Sequence, residues 1–409
     1  TCGVTGRSYT FGAARALSNL GAQSLLTKTS LRPGERMALL LPNIPEYLIA
    51  VHAGLQAGLV LTFANPLHTV DELARQFRDV AVRCIVTVPQ LLGVAQTLAK
   101  RLDGYDCTIN IGGQDKPQDR ILALESLAKP SRGVELPDID PHSLAVLPFS
   151  SGTMGLPKGV MLTHSNLVHN IVQFSHPSFP QGGDAAIDQR NIFTILPFFH
   201  IFGFNGILNY LTYIGMNVIT IPKFLPKDYV SCLAEYQPSA LFAVPSLMHF
   251  LATSPEISAG EHLANVRDVF CGAAPLKRGL IDNFYRKIGR TDCCVCQGYG
   301  MTETSPGVIV TPYTISESKH GSCGQLLPST RARVVDLDTG DDCGPNEPGE
   351  LWIKGPQVMR GYWNNAKATT ETIDSEGWLH TGDVFYYDED EYFYVVDRTK
   401  ELIKVKGNQ

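Results

Sequence analysis

The chain has 409 residues, of which 44% are hydrophobic and 18% are charged, and its formal net charge is −6. This length allows several layers of buried structure and more than one folding unit. Lysines and arginines are dispersed, and no apolar run approaches the roughly 20 uninterrupted residues of a membrane-spanning helix. The composition therefore excludes a basic nucleic-acid-binding face, a lipid-binding basic helix and a membrane span, and it predicts a soluble protein.

The first third of the chain alternates short aliphatic or β-branched runs with stretches of helical pattern. Thr69 and Glu72 have the spacing of a capping box and predict the start of a helix. The alternation is typical of right-handed βαβ units and predicts a mostly parallel sheet covered on both faces. The predicted elements here are strand 36–42, helix 44–58, strand 59–64, helix 69–80, strand 84–88 and helix 91–102.

The same alternation resumes after residue 190 and changes after about residue 316, where helical periodicity nearly disappears. Short strands over 331–337, 349–354 and 391–397 predict a small antiparallel, barrel-like unit packed on an α/β body. The predicted elements between these points are strand 191–196, helix 203–214, strand 217–221, helix 227–236, strand 239–244, helix 275–288 and strand 292–297.

Ten cysteines are present, and the densest group is Cys293, Cys294 and Cys296. A Cys-x-Cys pair can bind a metal ion, but no second cysteine or histidine pair lies at the spacing of a zinc site. We interpret residues 292–296 as a buried strand, with a metal site as the alternative. The other cysteines are typical of single buried thiols and indicate a reducing compartment.

A loop rich in glycine and hydroxyl residues follows the apolar strand predicted over 144–149. Its glycines let backbone N–H groups converge on an anion, its hydroxyls can donate to phosphate oxygens, and its lysine adds a positive charge. A proline precedes the lysine and a strand leaves the loop, so this is not a Walker A loop. A surface turn is the alternative, and the density of hydroxyls favours phosphate binding. The candidate residues are Ser150, Ser151, Gly152, Thr153, Gly155 and Lys158.

A second glycine-rich segment, residues 297–304, follows a predicted strand at a position where α/β sheets bind ligands. Tyr299 offers a face for stacking and Thr302 offers a hydroxyl. Glu303 is a candidate Mg²⁺ ligand, because a magnesium ion bound to phosphates usually takes one or two carboxylates. Taken alone, a glycine-rich turn with one exposed glutamate explains this segment equally well.

Two further segments carry weaker signals, one with Asp383 and Arg398 and the other with His200. Asp383 could accept hydrogen bonds from both ribose hydroxyls while Arg398 supports a nucleotide from the other side. A turn-forming aspartate and a surface ion pair are the ordinary alternatives. His200 stands among aromatic residues at the start of a predicted helix and could gate a carboxylate-binding tunnel, with a buried core histidine as the alternative.

Together and in this order, these segments resemble the adenylate-forming superfamily of acyl-CoA synthetases, 4-coumarate–CoA ligases and beetle luciferases. The resemblance implies two half-reactions: a carboxylate attacks the α-phosphorus of ATP to give an acyl-adenylate, and the thiol of coenzyme A then displaces AMP. It implies Mg²⁺ as cofactor, with ATP, a carboxylic acid and coenzyme A as substrates. The matching segments are 150–159, 297–304, 349–363, 381–383 and 397–406, within a likeness that runs from residue 9 to residue 409.

The resemblance also implies roles for single residues. His200 is expected beside the substrate carboxylate, Thr302 at the phosphate, Glu303 on the metal, and Asp383 with Arg398 at the ribose. The remaining nucleotide contacts are expected from Gly272, Ala273, Ala274, Gln297, Gly298, Tyr299 and Gly300. Lys400 matches a hinge, Lys404 and Gln409 match residues near the reacting phosphate, and Lys406 and Gly407 match contacts to coenzyme A.

The acyl pocket is expected to be an apolar slot for an aryl or medium- to long-chain carboxylate. Its expected lining residues are Phe202, Phe204, Cys271, Pro306, Gly307 and Val308. The expected activity is that of an acid–thiol ligase. A luciferase-type monooxygenase that uses the same adenylate is one alternative. A catalytically impaired adenylate-binding relative is the other, because Met154 stands where the family usually has a hydroxyl residue.

The resemblance divides the chain into three parts. Residues 1–315 are expected to form two stacked α/β subdomains that bind ATP and the acyl substrate, and residues 316–396 a barrel-like subdomain. Residues 397–409 are expected to hold the hinge and the start of an α+β C-terminal domain, the rest of which is missing, so this piece alone is expected to be poorly active. The expected compartment is the cytoplasm or the peroxisome.

Overall fold

The structure is a computed structural model that describes residues 1–129, 134–150, 157–179, 190–313, 315 and 319–398. Several predicted site residues lie outside this part, so their roles stay predictions. They are Ser151, Gly152, Thr153, Met154, Gly155, Lys400, Lys404, Lys406, Gly407 and Gln409, together with the side chain of Arg398.

The helices and strands follow the predicted alternation. The helices are α1 (Phe11–Lys28), α2 (Glu46–Gln56), α3 (Val70–Asp79), α4 (Leu92–Ala99), α5 (Leu124–Leu127), α6 (His164–Phe174), α7 (Tyr210–Tyr213), α8 (Pro226–Tyr236), α9 (Pro245–Thr253), α10 (Ala259–His262), α11 (Arg278–Ile288) and α12 (Ala366–Thr372). The first strands are β1 (Arg36–Leu39), β2 (Val60–Phe63), β3 (Val82–Thr87), β4 (Cys107–Asn110), β5 (Ile121–Ala123), β6 (Leu144–Val146), β7 (Phe149–Ser150), β8 (Lys158–Thr163), β9 (Asn191–Thr194) and β10 (Asn217–Thr220). The later strands are β11 (Ala240–Ala243), β12 (Asp268–Cys271), β13 (Cys294–Gly300), β14 (Gly307–Val310), β15 (Gln325–Leu326), β16 (Arg331–Val335), β17 (Gly349–Lys354), β18 (Gly361–Tyr362), β19 (Leu379–Tyr387) and β20 (Phe393–Arg398).

Within the described residues the strands form three sheets. The first has the order β18-β8-β6-β2-β1-β3-β4-β5, with β7 paired to β8, and the second has the order β10-β9-β11-β12-β13-β14-β15. Strands β1 to β5 pair in parallel, as do β9 to β13, which confirms the α/β fold with mostly parallel sheets. The third sheet, β16-β17-β19-β20, is the predicted antiparallel unit, and no closed barrel is found in the described part of the chain.

Local signals account for several of these elements. The Thr69 side chain accepts from the backbone N–H of Glu72, and the Glu72 carboxylate accepts from the backbone N–H of Thr69, so the predicted capping box is confirmed. All residues of β2 and β11 are buried, which is typical of parallel strands covered on both faces. In the described ranges, no helix combines the length and the apolar character needed to cross a bilayer.

The helix predicted over 203–214 differs from expectation because its first part, Phe202–Asn209, is a π-helix that continues into α7. A Cβ atom at Gly203 would collide with the carbonyl oxygen of Pro197, so the chain turns tightly at the start of this helix. Wide helical turns of this kind are frequent at functional sites.

Helix α6 joins the two large sheets through buried polar side chains. The Asn170 amide nitrogen donates to the Gly307 carbonyl at 3.0 Å, and the Asn170 amide oxygen accepts from the Gly307 N–H at 3.0 Å. Gln173 donates to the side-chain oxygen of Gln357 at 3.1 Å, and the Ser305 hydroxyl donates to the Gln357 carbonyl at 2.8 Å. These bonds fix the turn that leads into β14.

We expect Asn170→Ala to lower the free energy of unfolding by about 2 kcal/mol, because it leaves the buried N–H of Gly307 without its partner and the Gly307 carbonyl with only the long 3.5 Å hydrogen bond from Gln357. Chemical denaturation would measure the change. Val168→Ala is the matched control on the same helix, since Val168 is 56% exposed and its truncation should have little effect. Equal losses in the two variants would contradict the structural role of Asn170.

Candidate active site

A cavity of about 110 Å³ lies between the π-helix and the carboxyl ends of strands β12 and β13. Its wall includes several aromatic residues, among them Phe242 and Phe270, whose rings stack with centroids 4.7 Å apart. Four of the predicted acyl-pocket residues line it: Phe202, Cys271, Pro306 and Gly307. The cavity is therefore an apolar slot bordered by aromatic rings.

Phe204 and Val308 do not line this cavity, which corrects their expected position. Phe204 is fully buried on the other side of the π-helix, where its ring centroid lies 4.5 Å from that of Phe63. Val308 packs into the core beneath the third sheet. Side chains alternate between the faces of a strand, so Val308 faces away where its neighbour Gly307 faces the cavity.

His200 lines the cavity at the start of the π-helix segment. Its ring is exposed at the cavity mouth, yet the surrounding protein displaces enough water to lower its pKa from the ordinary value of 6.5. The backbone N–H of Phe202 donates to Nδ1 of His200 at 3.3 Å. A neutral ring that accepts at Nδ1 carries its proton on Nε2, so His200 can donate one hydrogen bond to an anion without being charged.

The glycine-rich end of β13 forms another wall of the cavity. The Tyr299 ring packs edge-on against Phe385 with centroids 4.7 Å apart, and its hydroxyl donates to Oδ2 of Asp383 at 2.6 Å. Burial and the Asp383 carboxylate raise the pKa of Tyr299 well above its ordinary value, so the phenol keeps its proton. A Cβ atom at Gly300 would collide with the Pro306 carbonyl oxygen, so this position requires glycine. Tyr299 and Asp383, two predicted nucleotide-binding residues, are therefore in direct contact.

Gln297 and the loop after β12 stand beside this wall. The Gln297 side chain accepts from the N–H of Leu276 at 3.0 Å and donates to the Ser322 carbonyl at 3.1 Å. The Gln297 amide thus holds the loop in place through these two hydrogen bonds. In that loop Gly272 and Ala273 line the cavity, whereas Ala274 is exposed and does not.

Glu303 lies in a 3₁₀ turn, Thr302–Thr304, that contacts strands β7 and β8. Its carboxylate is buried, and Oε1 accepts from the hydroxyl of Tyr362 at 2.8 Å. The ammonium nitrogen of Lys158 lies over the face of the same tyrosine ring, 4.7 Å from its centroid. The structure thus brings the predicted phosphate-binding segment and the predicted metal-binding segment together around Tyr362.

Tyr362 is absent from the predicted site residues, although it belongs to the matched segment 349–363. Strand β18 pairs with β8, placing Tyr362 opposite Val160, and this long-range pairing gives no local signal in the sequence. Ser150 pairs with Lys158 in the neighbouring hairpin, and within the described residues its buried hydroxyl has no hydrogen-bond partner. Such a hydroxyl is available to a ligand.

Two other predicted residues are placed by the backbone. Asp383 is paired with Arg398 across β19 and β20 in antiparallel register, so the backbones of the two residues lie side by side. Thr302 is half-buried at the first position of the 3₁₀ turn, next to Glu303.

The chain is similar in sequence and structure to several known proteins. A family profile described as "AMP-binding enzyme" matches residues 2–363. 4-Coumarate–CoA ligase 2 of Oryza sativa subsp. japonica is 36% identical over 425 residues, which cover 99% of this chain and 73% of the ligase. Luciferin 4-monooxygenase of Luciola mingrelica is 37% identical, with 97% of this chain and 70% of that protein covered. ATP-bound MatB from Rhodopseudomonas palustris is similar in structure, with a TM-score of 0.83 at 26% identity over 97% of this chain and 75% of MatB.

The fold and the site define an adenylate-forming enzyme. The chain belongs to the AMP-binding enzyme family, in which its relatives include the CoA ligase and the luciferase named above.

We expect the His200 ring to titrate below pH 6.5, because the surrounding protein displaces water from the exposed ring and so disfavours its charged form. Since the pKa is lower in the folded state, the associated stability is present above pH 6.5 and is lost as the pH falls through the folded value. NMR titration of the histidine rings would measure this, with His200→Gln identifying the signal. A His200 pKa at or above 6.5 would contradict the prediction.

Proposed function

We propose that this protein activates a carboxylic acid with ATP through an acyl-adenylate and transfers the acyl group to coenzyme A, as an acid–thiol ligase. The observation that carries the proposal is the cluster of Lys158, Tyr362 and Glu303 beside the cavity that His200 lines. One end of the site offers charge for phosphates, and the other offers an apolar slot whose described lining includes the neutral ring of His200.

The phosphate end suits an attack by one anion on another, which requires positive charge and donors around the phosphorus. Lys158 supplies a point charge, and the buried Ser150 hydroxyl supplies a donor. Tyr362 lies between Lys158 and Glu303, so the cation and the carboxylate are held near each other without forming an ion pair.

Glu303 fits a Mg²⁺ ligand. Its carboxylate is buried, its hydrogen-bonding neighbour Tyr362 is neutral, and none of the ion pairs among the described residues includes it. Its negative charge is therefore left for a hard cation, and carboxylate oxygens are the ligands that such a cation prefers. Mg²⁺, when bound, would neutralise charge on the ATP phosphates.

We expect Glu303→Gln to weaken Mg²⁺-dependent ATP binding by at least tenfold, because it removes the charge but keeps the shape. Tyr362→Phe should weaken the same binding by about tenfold, since a hydrogen bond to a charged group contributes about 1.5–3 kcal/mol. Calorimetric titration of ATP with and without Mg²⁺ would measure both effects.

Tyr394→Phe is the matched control, because Tyr394 also donates to a carboxylate, that of Asp388 at 3.1 Å, but in the third sheet away from the site. It should leave ATP binding unchanged. Unchanged Mg²⁺-dependent binding in Glu303→Gln would remove Glu303 from its proposed role.

The acid end of the site supports an aryl or medium-chain substrate. Phe202, Phe242 and Phe270 present aromatic surface, and the neutral Nε2–H of His200 can orient the carboxylate without forming a tight ion pair. A carboxylate held by a neutral donor keeps more of its nucleophilic character than one paired with a fixed cation.

A panel of carboxylic acids, assayed with the complete natural protein, would test the proposal. We expect pyrophosphate release that requires aryl or medium-chain acids, is weak with acetate, and is followed by thioester formation when coenzyme A is added. The proposal would be overturned if the rate of pyrophosphate release did not depend on which carboxylic acid is added. Light emission with luciferin and oxygen but no thioester would favour the monooxygenase alternative, for which the 37% identity to a luciferase is the supporting observation.

We also propose the division of the chain into residues 1–315, 316–396 and 397–409. The proposal includes the predicted hinge, phosphate and coenzyme A roles, which belong to Lys400, to Lys404 and Gln409, and to Lys406 and Gly407. Strand β15 still pairs with β14 in the second sheet, so the topology favours a boundary after Leu326 rather than at residue 315. The proposed compartment is the cytoplasm or the peroxisome, which fluorescence imaging of the tagged natural protein would distinguish.

A further inference from the structure

A second group of chemically active side chains lies on strands β12 and β13 of the second sheet, and its member Cys296 also lines the active-site cavity. Asp268 and Cys294 are the first residues of these strands and are paired in parallel register. Cys296 lies two residues further along β13 and therefore on the same face as Cys294. The two sulfur atoms are 3.2 Å apart, and one ligand atom from each of the three residues lies within 4.8 Å of the other two.

Asp268 is the unusual member of this group. Its relative exposure is 0%, and within the described residues neither of its carboxylate oxygens has a hydrogen-bond partner. Buried polar groups in folded proteins almost always have partners, because burying a carboxylate without one is costly. The buried Arg190 guanidinium and the Tyr210 phenol interact electrostatically with this carboxylate. Among the described residues, the groups that could bind a metal ion together are the carboxylate and the two thiols, whose ligand atoms lie within 4.8 Å of one another.

We propose that Asp268, Cys294 and Cys296 bind a divalent cation that prefers thiolate ligands, with Zn²⁺ as the best match. Two thiolates select against Mg²⁺ and Ca²⁺, which take oxygen ligands, and favour Zn²⁺, which accepts sulfur and carboxylate together. Two sulfur ligands of a tetrahedral Zn²⁺ lie about 3.8 Å apart at Zn–S distances of about 2.3 Å. The observed distance of 3.2 Å between the two sulfur atoms is about 0.6 Å shorter than this separation.

The surroundings allow an ion to reach the group and indicate how its binding would affect the strands. Cys294 is half-buried and lines a cleft that also holds Tyr285 and His320, so water can enter and complete the coordination. Strand β12 leads to the cavity wall at Cys271, and β13 leads to the wall at Gly298. An ion that bridges the two strands would stiffen both walls of the active-site cavity from below.

Cobalt titration tests the proposal directly. The chain is reduced with a phosphine, stripped of metal and titrated with Co²⁺, whose bonds to thiolates give charge-transfer absorption. We expect one Co²⁺ per chain, displacement by one equivalent of Zn²⁺, and a melting temperature that rises with Zn²⁺. Cys294→Ser and Cys296→Ser should each reduce the absorption and weaken Zn²⁺ binding at least tenfold. Asp268→Asn should weaken Zn²⁺ binding about tenfold and leave thiolate absorption in place.

Cys293→Ser is the matched control, because Cys293 is also buried but packs on the opposite face, in the core that contains Ile281 and Phe284. Cys107→Ser controls for the other close thiol pair, Cys84 and Cys107, whose sulfur atoms are 3.7 Å apart. Both variants should bind Co²⁺ as the unchanged chain does. If a serine variant fails to fold, Asp268→Asn and the Zn²⁺-dependent melting of the unchanged chain decide the question.

Three outcomes would overturn the proposal. The first is that the unchanged chain shows no thiolate–cobalt absorption. The second is that Cys293→Ser or Cys107→Ser lowers Zn²⁺ affinity as much as Cys294→Ser does. The third is an intact mass lower by two hydrogens after reduction and a peptide map that links Cys294 to Cys296, since a stable disulfide would leave no thiolates to bind the ion.

Discussion

The paired hydrogen bonds between Asn170 and Gly307 are the interaction on which the site depends. A single buried amide satisfies both the N–H and the carbonyl of one glycine, each at 3.0 Å. A Cβ atom at Gly307 would collide with the ring of Phe174, so the glycine also lets α6 approach β14 closely. Because buried polar groups are costly when unpaired, this contact holds helix and strand in one relative position. The cavity wall at Pro306 and Gly300 follows from that position.

Charge is distributed unequally along the site that this contact holds together. Tyr362 presents its ring face to Lys158 and its hydroxyl to Glu303, so a neutral side chain keeps the cation and the carboxylate apart. Among the described residues, the far end is lined by uncharged side chains that include the ring of His200, whose pKa is lowered because the surrounding protein displaces water. In the proposed reaction, the fixed charges therefore act on the phosphates, and the attacking carboxylate keeps its nucleophilicity.

What could be predicted from the sequence was local or periodic. The strand and helix alternation, the Thr69 capping box and the two glycine-rich segments each lie within a short stretch of chain, and the structure contains them. The direction of Phe204 could not be predicted, because it depends on a π-helix that only tertiary packing stabilises. Tyr362 could not be found either, because its place beside Glu303 results from the pairing of β18 with β8, about 200 residues earlier in the chain.

For the group of Asp268, Cys294 and Cys296, the sequence likewise shows only the local part of the arrangement. Cys294 and Cys296 form a visible Cys-x-Cys pattern, but the ligand that gives the pattern a possible use comes from the next strand of the sheet. The carboxylate of Asp268 is fully buried, so it lowers stability unless its charge is compensated. The register of β12 with β13 places two sulfur atoms where a compensating cation would bind, beneath strands that carry the walls of the active site.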